Sequence, residues 1–214
     1  MATITIIGGH GKIALRLSRL LSARGHEIRS WIRSAAQENE VRAAGATPLI
    51  LNVEPVGTNS FTTLLQGQDV VIWCAGAGGG NPQRTYAVDR DAAIRSIDAA
   101  QAAGVGRYLM VSYFGSRTDH GVPADQPFFH YAESKAAADA HLRASSLDWT
   151  ILGPSRLTDQ PGTGAIETGD GIEAGAVSRD DVAAVAAAAL EHPGTIRTTI
   201  AFNNGPTPIA DALA

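Results

Sequence analysis

Tyr131 and Lys135 stand four residues apart in Tyr131-Ala132-Glu133-Ser134-Lys135, so a helix would carry both on one face. An ammonium beside a phenol favours the phenolate and lowers the tyrosine pKa toward neutrality, and a helix N-terminus acts in the same direction. A tyrosine so placed can give a proton to a carbonyl oxygen while the carbon is being reduced. Ser112, just past an apolar run, could orient that oxygen. The chain holds 17 basic residues, and two of them are lysines, Lys12 and Lys135. Their locations therefore carry information. The plain alternative is an ordinary helix pair with Lys135 in solvent.

Lys12 lies in Gly8-Gly9-His10-Gly11-Lys12-Ile13-Ala14, between a β-branched run (Thr3-Ile4-Thr5-Ile6-Ile7) and a stretch with helical apolar spacing at Ile13, Leu17, Leu20 and Leu21. Glycines in a strand-to-helix turn admit backbone angles closed to other residues. They also let the main chain approach a pyrophosphate without a Cβ in the way. The helix start adds free N–H groups and a partial positive charge, and Ala14 permits close helix–strand packing. Strand, turn and helix together point to a dinucleotide site that includes Gly8, His10, Gly11, Lys12 and Ile13. A ribose 2′-hydroxyl is usually held by an acidic residue at the end of the second strand, but Ile32-Arg33-Ser34 stands there. A guanidinium and a hydroxyl suit a 2′-phosphate, so Arg33 and Ser34 favour NADP(H) over NAD(H). The alternative for Arg33 is a solvated surface charge.

Positioning these residues needs alternating strands and helices. Strands are expected over 3–7, 27–32, 47–51, 70–73, 108–111, 149–152 and 195–202. Helices are expected from 12 to Gly25 and over 35–44, 61–65, 86–103, 128–146 and 178–190. Gly153-Pro154 is expected to stop the sixth strand, and residues 161–175 show no clear pattern. Such alternation predicts an α/β fold, a doubly wound, mostly parallel Rossmann-type sheet flanked by helices. With no linker or repeat in 214 residues, one domain is expected, with a short substrate-side extension from about residue 154.

Composition narrows the class further. Hydrophobic residues make up 44% and charged residues 18%, a globular balance. A net charge of −4 leaves no basic field for nucleic acid. No apolar run is long enough to span a membrane, the N-terminus lacks a signal-peptide pattern, and the single cysteine, Cys74, forbids an intrachain disulfide. A cytoplasmic monomer or homodimer acting on a small molecule is the expectation. The six histidines show no metal-ligand spacing, so no metal is expected. Six of the 12 aromatic residues fall between Tyr108 and Tyr131. They read either as the wall of a pocket for a flat apolar substrate or as core under a long loop.

These motifs resemble the short-chain dehydrogenase/reductase superfamily, in particular its atypical NAD(P)-binding, NmrA-like or epimerase-like members. The matching residues are the glycine turn, Arg33, Cys74-Ala75-Gly76, Val111-Ser112, Tyr131 with Lys135, and Asp148-Trp149-Thr150-Ile151-Leu152-Gly153-Pro154. The resemblance implies a sheet of seven or so strands and adenine contacts near Asn52 and Val53. It further implies ribose contacts near Ala75 and Gly76, and a nicotinamide held by Lys135 beside a loop containing Pro154. Two positions depart from the pattern: Asn52 replaces the usual acidic residue, and Gly153 the usual arginine. The expected activity is an NADPH-dependent reductase acting on a small flat carbonyl compound, quinone or flavin, with Ser112, Tyr131 and Lys135 as its catalytic set. The alternative is an NADP(H)-binding sensor without turnover. An epimerase-like isomerase ranks third, because only 214 − 154 = 60 residues follow Pro154 to enclose a sugar nucleotide.

Overall fold

The computed structural model describes residues 1–214. Its centre is a nine-stranded sheet. In chain order the elements are β1 (Thr3–Ile7), α1 (Lys12–Ala23), β2 (Glu27–Ile32), α2 (Glu38–Ala43), β3 (Thr47–Ile50), α3 (Thr58–Leu65) and β4 (Val70–Trp73). A helical rod follows, made of α4 (Pro82–Thr85), a π-helical stretch (Tyr86–Ala92) and α5 (Ala93–Ala103). Then come β5 (Arg107–Val111), α6 (Phe129–Ala144), β6 (Asp148–Pro154), β7 (Arg156–Thr158), β8 (Ala165–Thr168) and β9 (Ala176–Ser178). The chain closes with α7 (Arg179–Glu191), β10 (Thr198–Asn204), β11 (Thr207–Pro208) and α8 (Ile209–Ala212).

The strand order is β11-β8-β10-β6-β5-β4-β1-β2-β3, and β7 pairs with β9 apart from the main sheet. The seven strands from β3 to β10 run parallel, as the alternating pattern predicts. The other two are β8 and β11. β8 runs antiparallel to both β10 and β11 and falls in the stretch that shows no clear sequence pattern.

The sheet has a core on each face because strand side chains alternate. Ile4, Ile6, Val70, Ile72 and Leu109 face one way, toward α1 and α7. Ile7, Val71, Trp73, Tyr108 and Met110 face the other, toward α3, α5 and α6. These side chains are at most 8% exposed, and burying each aliphatic one contributes roughly 1.5–3 kcal/mol. No helix is long and apolar enough to cross a membrane.

Two expectations on element boundaries need correcting. β6 does not stop at Gly153: it runs through Pro154, pairing Gly153 with Ala201 and Pro154 with Phe202. Pro154 lacks an N–H, but its carbonyl still accepts from the amide of Phe114 at 2.9 Å. A Cβ on Gly153 would lie 3.2 Å from the Tyr113 carbonyl, so glycine here admits the turn after β5. The long helix expected over 86–103 starts earlier, at Pro82, where the Asn81 side chain caps it. It carries the π stretch in its middle, which packs against α6 and buries Asp89.

Candidate functional site

Gly8 ends β1 in the left-handed region at φ +87°, and a Cβ on it would sit 2.5 Å from the backbone of Ala75. Gly9 is hemmed in by the Ser30 side chain. Gly11 has ordinary extended angles and caps α1, so backbone freedom is required at Gly8 and not at Gly11. The α1 ladder begins with the Leu15 amide donating to the Gly11 carbonyl at 2.9 Å. The amides of Lys12, Ile13 and Ala14 are thereby left without helical acceptors, at the positive end of a twelve-residue helix.

This turn opens onto a cleft of about 270 Å³ at the C-terminal edge of the sheet, where β1 lies between β4 and β2 and the strand order reverses. Of the residues expected to bind cofactor, Gly8, His10, Gly11, Arg33, Asn52, Val53, Ala75 and Gly76 line it. Arg33 is exposed and its guanidinium has no protein partner. His10 Nδ1 lies 3.1 Å from Gln37 Nε2, and its Nε2 lies 3.4 Å from a Glu40 carboxylate oxygen. Asn52 accepts from the Glu54 amide at 3.2 Å.

Besides Lys135, four expected contacts lie elsewhere. The Lys12 ammonium pairs with Asp159 at 2.6 Å, and the Ile13 side chain packs on the core. Ser34 caps a short 3-10 turn by accepting from the Ala36 amide, and Pro154 is buried in β6. For Lys12 and Ile13 the main chain, not the side chain, is what faces an anion.

Arg84 and Glu54 join across the far end of the cleft at 2.8 Å, and Arg84 also donates to the Ala77 carbonyl at 2.9 Å. Neither residue carries a motif that would have revealed it. The free amides, the bare Gly8–Gly11 backbone, the unpaired Arg33 and the flat walls of Trp31, Leu51 and Val53 suit a dinucleotide with an anionic centre.

Ser112, Tyr131 and Lys135 lie beyond this cleft, where α6 meets the end of β5. Lys135 is fully buried, and its Nζ donates to the Val111 carbonyl at 2.8 Å and lies 3.3 Å from Met110 Sδ. Burial lowers its pKa, opposed by the carboxylates of Asp139 and Asp89. Lys135 is therefore not a solvated helix lysine. Ser112 donates to Asp139 Oδ2 at 2.5 Å, and Ser116 donates to the same oxygen at 2.6 Å. Asp139 continues the stripe of Tyr131 and Lys135 by another four residues, a spacing visible in the sequence.

Tyr131 departs from expectation in its acidity. Burial, and then the negative charges of Asp89 and Asp139, push its pKa up rather than toward neutrality. The Lys135 ammonium is turned to the Val111 carbonyl, and the two buried carboxylates outweigh it at the phenol. The Tyr131 hydroxyl makes no hydrogen bond within the protein. Asp89, in the π stretch, accepts from the Ala77 amide at 2.9 Å and links the glycine segment after β4 to this cluster. Burial raises its pKa as well, against the pull of Lys135. Cys74 is pushed up to about 12 by burial, which leaves the thiol inert at neutral pH.

The aromatic residues divide between the two readings. Tyr108 is core, its hydroxyl 2.7 Å from Ser96 Oγ. Tyr113, Phe128 and Tyr131 form a mutually packed trio with ring centroids 5.2–5.6 Å apart, and Phe128 is 45% exposed. His130 Nδ1 lies 3.1 Å from the Tyr86 hydroxyl.

A doubly wound sheet with a glycine turn at its switch point, and a Tyr–Lys helix beside the next strand, defines an atypical short-chain dehydrogenase/reductase. The family described as NAD(P)H-binding matches residues 8–193, and the chain belongs to it. The uncharacterized sugar epimerase YhfK of Bacillus subtilis is 35% identical over 213 residues, 98% of each chain. A Bacillus halodurans structure with the provisional name NAD-dependent epimerase/dehydratase superposes with a TM-score of 0.90. It is 31% identical and covers 100% of this chain and 99% of its own. The oxidoreductase ylbE of Lactococcus lactis gives a TM-score of 0.86 at 26% identity, covering 99% and 94%.

Proposed function

We propose that this chain is an NADPH-dependent reductase of a small, flat, apolar carbonyl compound, quinone or flavin. The observation that carries the reading is the Tyr131 phenol. It stands in an aromatic wall with Tyr113 and Phe128, one helical turn from a lysine buried against the end of β5. NADPH, when bound, would supply the hydride for the acceptor and be oxidised to NADP⁺. Tyr131, kept protonated by its raised pKa, gives its hydroxyl proton to the acceptor oxygen and regains one from solvent. Lys135 fixes α6 on the end of β5 and so holds the Tyr131 phenol at the sheet edge. Gly8, Gly11 and the free amides at the start of α1 receive the pyrophosphate, and the unpaired Arg33 receives the 2′-phosphate. The name of the Lactococcus relative agrees with an oxidoreductase.

The test is NADPH consumption, followed by its absorbance, with a panel of carbonyl compounds, quinones and flavins. Turnover of a panel member by this protein and loss of it in Tyr131→Phe are expected. A second reading, an NADP(H) sensor without turnover, is favoured by one observation: Lys135 and Ser112 already have partners within the protein. Tight NADPH binding with no acceptor turned over would select it. Against an epimerase, the name carried by YhfK, stands the use of the chain after Pro154. It goes to β7 through α8, which complete the sheet and leave little to cover a sugar nucleotide.

A further inference from the structure

The Gly8 and Gly9 amides both donate to the Trp31 carbonyl, at 3.2 and 2.9 Å, which seats the glycine turn on the end of β2. His10 thereby shares the wall of the cleft with Arg33 and Gln37. Its two ring nitrogens face different groups: Nδ1 lies 3.1 Å from Gln37 Nε2, and Nε2 lies 3.4 Å from a Glu40 carboxylate oxygen. An amide nitrogen only donates, so in this arrangement Nδ1 accepts and the ring is neutral, with its proton on Nε2 toward Glu40. Gln37 Oε1 is then buried without a partner. Turning the Gln37 amide over brings Oε1 to Nδ1, which must then carry a proton. Nε2 keeps its own because it faces a carboxylate, so the ring becomes a cation. One frame thus serves a neutral imidazole and an imidazolium, and only the imidazolium gives the orphaned Oε1 a partner.

The charge in the cleft decides between the two states. Glu38 on α2 is paired with Arg42, Lys12 on α1 with Asp159, Arg16 with Asp180, and Glu54 across the cleft with Arg84. Glu40 and the free Arg33 remain to act on His10. Glu40 favours the cation, Arg33 opposes it, and a phosphate beside Arg33 removes that opposition. We propose that His10, backed by Glu40, is a second determinant of cofactor choice: it takes up a proton from solvent as the 2′-phosphate enters, so the preference for NADP(H) over NAD(H) rises as pH falls. The inference rests on the reading that Arg33 receives the 2′-phosphate and adds a titratable charge to it.

Calorimetric titration in buffers of different ionisation heat counts the protons taken up on binding. NADP⁺ and NAD⁺ are the probes, because reduced nicotinamides decompose in acid. With NADP⁺ the unsubstituted protein should take up roughly 0.3–0.5 proton at the midpoint of the transition, and with NAD⁺ close to none. By reciprocity, the ratio of the two dissociation constants should move roughly threefold to tenfold toward NADP⁺ between about pH 8.5 and pH 6. His10→Asn should lose the uptake and flatten the ratio. Protons exchanged by the 2′-phosphate itself persist in that variant, so the difference between the two proteins belongs to His10. Glu40→Gln, at an exposed position of α2, should reduce the uptake and tighten NADP⁺ binding at about pH 8.5, where a bare carboxylate otherwise repels the phosphate. If His10→Asn does not fold, Glu40→Gln carries the test. Preference for NADP⁺ with the same proton uptake in the unsubstituted protein and in either folded variant overturns this inference alone. Equal dissociation constants for NADP⁺ and NAD⁺ at every pH, or binding of neither, overturn the Arg33 reading and this inference together.

Discussion

The Lys135 ammonium donates to the Val111 carbonyl at 2.8 Å, pinning α6 to the end of β5. That carbonyl belongs to the last residue of its strand, and the bond fixes the height at which Tyr131 stands above the sheet edge. Lys135→Ala should therefore weaken both turnover and NADPH affinity, since it removes a charge and releases the helix that carries the phenol. Tyr131→Phe should differ in signature. It should lower turnover of a carbonyl substrate by roughly 10² to 10⁴ and leave NADPH affinity nearly unchanged. Activity that survives Tyr131→Phe within a factor of about two would remove the phenol from the chemistry. The raised tyrosine pKa adds a sign: the donor form persists through alkaline pH, so kcat should show no loss between neutral pH and the ordinary tyrosine range.

Arg33 decides cofactor preference if its free guanidinium meets a 2′-phosphate. NADPH should bind more tightly than NADH, and Arg33→Ala should remove about one to two decades of that difference, the worth of a charge-assisted contact. Equal dissociation constants for the two cofactors in the unsubstituted protein would refute the assignment.

The glycine turn separates folding from binding. Gly8→Ala forces a Cβ to within 2.5 Å of Ala75 at a positive φ, so it should lower the melting temperature as well as abolish binding. Gly11→Val has ordinary backbone angles, and its nearest neighbour is the Gly8 carbonyl at 3.3 Å. It should keep the fold and lose NADPH binding through side-chain bulk at the anion position. Unchanged NADPH affinity in Gly11→Val would sink the phosphate-turn reading.

Asp181 ties the segment before β8 to the start of α7 and the end of β10. Burial pushes its carboxyl up, but the amides of Thr163 and Gly164, the Asn204 side chain and the Ser178 hydroxyl outweigh this and hold it below the usual carboxylate range. A depressed pKa contributes stability that is present above the unfolded value of about 3.9 and lost as pH falls through the folded one. Asp181→Asn should cost roughly 1–3 kcal/mol near neutrality and flatten the acid limb of the stability curve. Denaturant melts at neutral and acid pH measure both, and an unchanged acid limb would count against the ionised anchor.

The local signals in the chain were strong where they depended on neighbours in sequence. The β-branched run, the glycine turn and the helical spacing after it determine the β1–α1 unit, because strand period, positive φ and helix capping are properties of consecutive residues. The parallel sheet follows from their alternation, and the Tyr131–Lys135 spacing from helical geometry alone. What tertiary structure decided was where charges end up. Lys12, beside the phosphate turn in sequence, reaches across to Asp159, while Lys135 is driven into the core by β5 packing on α6. Glu54 and Arg84 are thirty residues apart and meet only because the loop after β3 and the helix α4 converge on one cleft. The raised pKa of Tyr131 has the same origin. Asp89 comes from the π stretch and Asp139 from the far end of α6, and only the folded chain gathers both carboxylates around the phenol in a medium too dry to screen them.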